Sequence, residues 1–229
     1  MKLAIMQPYF LPYIGYWQLI NAVDKYVIYD DVQFIKGGWI NRNCILLNGQ
    51  KQLINLLLSG ASPNKLILEI KVQEKQDKLI RTIELNYKKA PMFESVFPLF
   101  LEIVMYPDKN LARYVGNSIV EISKYLSIKT EFLYSSTLNK NNELKSQERV
   151  LNICKLLNAD KYINAIGGTE LYMKEEFSSN NIELSFLQTK IEPYIQFKNE
   201  FVPYLSILDI MMFNSKEDIK LLLDKYVLL

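Results

Sequence analysis

The chain has no histidine in its 229 residues. That excludes imidazole general bases, Ser-His-Asp and Cys-His nucleophile systems, and histidine-ligated metal sites. Acid–base work falls to Asp, Glu, Lys, Tyr or Cys, or to a bound substrate. Cysteine is nearly absent too. Cys44 lies in an expected strand and Cys154 in the apolar stripe of an expected helix. Both read as buried thiols of a reducing compartment, not as a disulfide. Charge of one sign is not in excess: 27 basic and 25 acidic residues leave a net +2. A nucleic-acid binder more often shows a basic excess or stripe. No run approaches the roughly 18 apolar residues of a membrane span; the most apolar stretch, Phe97 to Tyr106, contains Pro98 and Glu102. The residues before Gln7-Pro8 are too few for a signal peptide. A cytoplasmic protein that does not enter a membrane is expected. Internal repeats and low-complexity linkers are also lacking.

What is there is apolar and aromatic, at 49% and 12% of residues, enough for one folded domain over 1–229. Leu3 to Met6 and Tyr26 to Tyr29 are continuous apolar runs. Tyr13 to Val23 between them is long enough for a helix. Run, helix and run within about thirty residues predict a βαβ unit with two parallel, doubly covered strands. In such sheets ligands bind outside the carboxyl ends of the strands. Gln7 and Asp30-Asp31 follow strand ends on that side, so an amide and two carboxylates share one rim. On the helix, Gly15, Gln18 and Asn21 recur every third residue and form one face. Gly15 there admits either a ligand or a close strand.

The loop that follows carries Lys36, Gly37-Gly38, Trp39, Asn41, Arg42 and Asn43. Trp39 and Arg42 have the chemistry to stack on or pair with an anion; the plainer alternative is a core indole and a surface ion pair. Asn48-Gly49 between apolar runs marks a hairpin of Cys44–Leu47 with Gln52–Leu58. Leu66 to Val72 reads as a strand. Helices are expected over 74–89, 92–105 and 110–126, which together make a helical insertion at 74–126. Alternation then resumes with strand 131–134, a polar and mobile loop 135–145, helix 147–157 and strand 161–165. Gly167-Gly168-Thr169 precede an expected helix 170–177, with Thr169 as N-cap and the glycines as an anion cradle or a plain tight turn. Strand 182–187 and helices 205–213 and 216–226 close the chain. Tyr194 and Gln196 lie in an irregular aromatic segment expected to fold back near the rim. Asp209, on an otherwise apolar helix, needs a partner such as a cap or a neighbouring helix N-terminus. The expected fold class is α/β, a mostly parallel, Rossmann-like sheet with a helical insertion.

Gln7-Pro8 with Ile14-Gly15-Tyr16, then Asp30-Asp31-Val32-Gln33-Phe34 with Trp39, Asn41, Arg42 and Asn43, resemble the WbqC-like family. Asn86 to Pro91, Glu148 to Asp160, Gly167-Gly168 before Tyr172, Pro193-Tyr194 with Gln196, and Phe201 and Pro203 with Ser206 to Asp209 agree with it. The resemblance implies a product of bacterial surface-polysaccharide clusters, especially O-antigen (lipopolysaccharide) clusters, and glycine transfer to an amino sugar; it fixes no catalytic residue. The opening strand, loop and helix are also similar to nucleotidyltransferases and class I synthetases. Those carry His-x-Gly-His where this chain has Tyr13-Ile14-Gly15-Tyr16, so the shape is kept without that chemistry.

Two main functions follow as expectations. One is an N-acyltransferase moving an aminoacyl group, such as glycyl, onto the amine of a nucleotide-linked amino sugar. Asp30 or Asp31 is then the base, Gln7, Asn41 and Arg42 hold the oxyanion, and Arg42, Lys36 and Gly167-Gly168 hold the pyrophosphate. The sequence carries no intrinsic cofactor motif. The donor is left open among aminoacyl-tRNA, an adenylate and a carrier thioester. The other is a non-catalytic module that binds a nucleotide-sugar or a partner enzyme. A magnesium-dependent transferase using Asp30 and Asp31 is a third, on a thin basis.

Overall fold

The apolar runs form the centre of the sheet. In the computed structural model, which describes all of residues 1–229, β1 (Lys2–Met6) and β2 (Lys25–Ile28) pair in parallel and α1 (Ile14–Asn21) joins them. A hairpin of β3 (Arg42–Leu47) and β4 (Gln50–Asn55) follows. Its turn residues Asn48 and Gly49 have φ of 49° and 76°, the left-handed geometry of a type I′ turn. β5 (Leu58–Ser59) and β6 (Lys71–Val72) make a second, minimal antiparallel pair. The strand expected over Leu66–Val72 is mostly absent: Ile67–Glu69 coils into a 3-10 turn, closed by the Glu69 carboxylate accepting the Leu66 N–H at 2.7 Å.

Three successive helices, α2 (Asp77–Tyr87), α3 (Phe93–Val104) and α4 (Leu111–Tyr125), precede β7 (Glu131–Tyr134). Then come α5 (Ser146–Leu156), β8 (Lys161–Ala165), α6 (Lys174–Ser179), β9 (Glu183–Thr189), α7 (Ile207–Phe213), α8 (Lys216–Leu223) and β10 (Tyr226–Leu228). The last helix is shorter than expected, and the chain returns as β10, antiparallel to β9. The six-stranded sheet runs β10-β9-β8-β1-β2-β7, parallel apart from β10. By order of appearance its parallel strands lie 3-2-1-4-5, the order of a doubly wound sheet that switches direction between β1 and β8.

Strand alternation serves two cores. Leu3, Ile5 and Val27 pack on Val150 and Cys154 of α5 and Phe177 of α6. Ala4, Tyr26 and Ile28 face the larger core with Trp17 of α1 and the remaining helices. Burial pushes the Cys154 thiol up to about 12, so it is an inert packing group.

The Gly15–Gln18–Asn21 face of α1 is a packing face. A Cβ on Gly15 would lie 2.2 Å from Thr189 Oγ1 of β9. Gln18 Nε2 donates to the Leu222 and Lys225 carbonyls at 2.8 and 2.9 Å, and Asn21 Nδ2 to Asp224 Oδ1 at 3.3 Å. This face therefore meets β9 and the end of α8, and a ligand has no room at Gly15.

Asp209, in the first turn of α7, partners neither a cap nor a neighbouring helix N-terminus. Its carboxylate, fully buried, accepts from Tyr87 Oη (2.7 Å), Tyr194 Oη (2.6 Å) and Gln196 Nε2 (2.8 Å). Burial raises its pKa, and the three hydrogen bonds oppose the rise. A carboxyl raised in the fold gives stability that is present below its unfolded value, about 3.9, and lost as pH rises through the folded value. Asp209→Asn should therefore gain stability relative to wild type as pH climbs out of the acid range. Urea denaturation at several pH values between acid and neutral reads this; a pH-independent difference would contradict it.

Candidate active site

The ends of β1 and β8, where the sheet switches direction, open into a cleft of about 540 Å³. Met6 of β1 with Gln7 and Pro8 after it, Tyr29 after β2, and Asn164 and Ala165 of β8 form its floor. One wall is the segment from Gln7 to Tyr13, and neighbouring elements pin it. Phe10 N–H donates to the Ile40 carbonyl (3.0 Å) and Trp17 Nε1 to the Pro12 carbonyl (3.0 Å). Asn43 Nδ2 donates to the Phe10 carbonyl (3.2 Å) and to that of Leu11, which also accepts Ser206 Oγ (2.7 Å). Those anchors hold Leu11 at φ 46°, a strained position for a branched residue. The wall is thereby fixed before any ligand arrives.

Tyr9, Tyr13, Tyr16, Tyr29, Trp39 and Tyr172 line the cleft, and no ionised side chain does. Burial raises the phenol pKa values of Tyr9, Tyr13, Tyr16, Tyr29 and Tyr172. They are neutral near pH 7, as stacking surfaces and hydrogen-bond donors rather than bases. Two amides complete the lining, Gln7 and Asn164. Asn164 is committed: Nδ2 donates to Tyr162 Oη (3.0 Å) and Oδ1 accepts the Ala165 N–H (2.7 Å). A Cβ on Gly168 would lie 3.0 Å from that amide, so glycine lets the turn after β8 close over it.

Of the residues expected at the site, Gln7, Trp39, Gly167, Gly168 and Tyr172 line the cleft. The carboxylates do not. Asp30 is buried, and its two oxygens accept the Ser136 N–H (2.9 Å) and hydroxyl (2.5 Å). Asp31 Oδ2 takes Lys140 Nζ and Arg149 Nη2, each at 2.6 Å. Both carboxylates thus tie down residues 135–140 of the segment expected to be mobile, through Ser136 and Lys140, whereas 141–145 is mostly exposed. They turn to different partners, which leaves them no common point at which to hold a hard cation. No group of three or more Cys, Asp and Glu residues converges elsewhere to hold a metal.

The remaining candidates scatter. Asn41 Nδ2 donates to the Leu56 carbonyl (3.1 Å), and buried Asn43 braces the wall as described. Both are positioning groups. Lys36 is exposed and outside the lining; Arg42 stacks 5.2 Å from the Trp39 ring centroid. Thr169 caps no helix: it ends the 3-10 turn Ile166–Gly168, its hydroxyl donates to the Ile166 carbonyl (3.1 Å), and α6 begins only at Lys174. Tyr194 and Gln196 close on Asp209 rather than on the rim. Sequence reasoning missed Tyr9, Tyr13, Tyr16, Tyr29 and Asn164 as lining. The signal for Tyr9, Tyr13 and Tyr16 was their recurrence at one strand end and the first turn of the next helix.

No solved structure matches this chain. An uncharacterized protein of Mycobacterium tuberculosis is 28% identical over 227 residues, 92% of each chain. The profile of the WbqC-like protein family matches residues 7–221, from the cleft's own glutamine to the last helix. Strand-end glutamine, pinned loop and aromatic lining all fall inside that match, and the chain belongs to the WbqC-like protein family.

Proposed function

We propose that this protein is a transferase of bacterial surface-polysaccharide (O-antigen) synthesis that moves an acyl group, such as glycyl, onto the amine of a nucleotide-linked amino sugar. The observation that carries this reading is the cleft at the sheet's switch point, walled by tyrosines and Trp39 and free of ionised side chains. Flat aromatic faces and a few amides suit a sugar ring, which offers C–H faces and hydroxyls but no charge. Family membership supports the polysaccharide setting.

The chemistry is balanced without a protein base. The neutral sugar amine attacks the acyl carbonyl carbon, the C–N bond forms, and negative charge collects on the carbonyl oxygen. The bond from that carbon to the donor's oxygen or sulfur then breaks, and its electron pair leaves with the carrier. The ammonium proton passes to the leaving group or to water. An aminoacyl-tRNA ester, an aminoacyl adenylate or a carrier thioester is activated enough for this route. In this reading Gln7 Nε2 is the donor that holds the oxyanion.

Mass spectrometry of nucleotide-linked amino sugars, incubated with the protein and each donor type, tests the proposal. The expected product is the sugar heavier by one acyl residue, formed only with protein present. The second reading is a binding module that holds the nucleotide-sugar. It is favoured by the engagement of Asp30 and Asp31 away from the cleft. Stoichiometric binding with no acylated product under any donor would put it first.

A further inference from the structure

Beside Trp39 a second chamber of about 300 Å³ shares a wall with the cleft. Tyr9, Tyr13 and Trp39 face both spaces, whereas Cys44, Lys51 and Tyr204 line only the second. Charge enters here for the first time. Lys51 is the cation of this chamber's lining, with Nζ 5.5 Å from the Tyr204 ring centroid; Arg42 lies outside the lining and stacks on the shared wall, its guanidinium carbon 5.2 Å from the Trp39 ring centroid. Neither cation belongs to any ion pair of the chain. Arg42 Nε is moreover buried with no hydrogen-bond partner. The cations on the Tyr29 side of the main cleft differ: Lys140 and Arg149 share Asp31. Tyr204 is held at φ 59°, and its ring lies 6.2 Å from that of Tyr13.

We propose that this chamber binds the nucleoside diphosphate half of the sugar nucleotide, its base against the Tyr13 and Tyr204 rings and its diphosphate on Arg42 and Lys51. Aromatic faces accept any planar base, while a stacked guanidinium and ammonium without carboxylates attract phosphate oxygens. The inference rests on the main cleft being the sugar site, because one ligand then spans both chambers past the shared wall of Tyr9, Tyr13 and Trp39. It also places the acyl acceptor amine in the uncharged chamber, where it stays deprotonated more readily than beside a carboxylate.

The chain carries its own reporter. Trp17 is fully buried and Trp39 is 50% exposed, so a ligand in the second chamber changes Trp39 fluorescence and leaves Trp17 unaffected. UDP, CDP, GDP, ADP and dTDP, each with its nucleoside, are titrated into wild type, Trp39→Phe, Arg42→Ala, Lys51→Ala and Lys36→Ala. Titration calorimetry accompanies the fluorescence. At least one diphosphate should bind and change the fluorescence, and Trp39→Phe should abolish the change. Arg42→Ala and Lys51→Ala should each weaken that diphosphate by roughly tenfold or more, with little effect on the nucleoside and none from Lys36→Ala. Lys51 is exposed on β4, so its variant folds even if Arg42→Ala does not. No diphosphate binding, or binding indifferent to Lys51→Ala, overturns the proposal. Acyl transfer to a sugar nucleotide whose affinity ignores both cations sinks this inference and leaves the transferase reading. Diphosphate binding that needs both cations, without transfer, does the reverse.

Discussion

Asp31→Ala should cost this protein about 3–5 kcal/mol of folding stability, a fall in Tm of roughly 6–20 °C for a chain of this size. Lys140 Nζ and Arg149 Nη2 both end 2.6 Å from Asp31 Oδ2, and the three side chains are only 1%, 14% and 11% exposed. Removing the carboxylate leaves two buried cations facing each other with no counter-charge. That is far worse than losing a surface pair such as Lys161–Glu183, whose partners are 46% and 58% exposed and whose loss should be barely measurable. Asp31→Asn keeps an acceptor oxygen and loses the charge, so it should fall between wild type and alanine. The damage is not local. Asp31 ties the end of β2 to the segment 135–145 and to α5, and Arg149 stacks 5.3 Å from the ring of Tyr29, a cleft residue. Urea denaturation monitored by circular dichroism gives the number. A loss under about 1 kcal/mol, the range of an exposed pair, would show that the cluster is solvated in solution. Activity lost in Asp31 variants should therefore track the unfolded fraction.

The same residues show what a sequence discloses. The βαβ opening, the Asn48-Gly49 hairpin and the three successive helices were legible because each is written in a few adjacent residues: run length, turn chemistry or helical period. β10 was not, since an antiparallel edge strand of three residues has no period of its own and is defined by Thr189–Leu187 across from it. The rim was legible from the rule that ligands sit at strand carboxyl ends, and Gln7 and Trp39 were found that way, whereas Tyr172 came from the family resemblance. Side-chain direction was not. Asp31 meets a partner 118 positions away and Asp30 one 106 away, and Gln18 reaches a carbonyl 204 positions away. A polar side chain that braces backbone, as Asn43 does, has the same letter as one that waits for a ligand. Conversely, the tyrosines that wall the cleft read as ordinary apolar residues, because their role is set by the emptiness beside them.

Gln7→Ala should lower kcat for acyl transfer by about a hundredfold or more while KM for the sugar nucleotide changes little. Gln7 is anchored through its backbone, whose carbonyl accepts Tyr16 Oη at 2.9 Å. Its side chain forms no hydrogen bond within the protein and lines the cleft, whereas the other lining amide, Asn164, is engaged at both its nitrogen and its oxygen. A free, positioned N–H₂ group at a strand end is what a developing oxyanion needs. Its contribution arises only when the carbonyl oxygen becomes charged, so loss falls on kcat rather than on ground-state binding. Gln7→Glu, equal in size but without the donor, should lose at least as much, since a carboxylate repels the oxyanion. Folding should hold in both variants, because no internal hydrogen bond is broken. The wild-type pH profile adds a check. With no histidine and with the cleft phenols raised by burial, no side chain lining the cleft titrates near 6.5. The rise of kcat/KM with pH should then follow the pKa of the acceptor amine and shift when a sugar with a more acidic ammonium is used. An unchanged kcat in Gln7→Ala would remove Gln7 from the chemistry and leave catalysis to the donor's own reactivity and the holding of two substrates side by side.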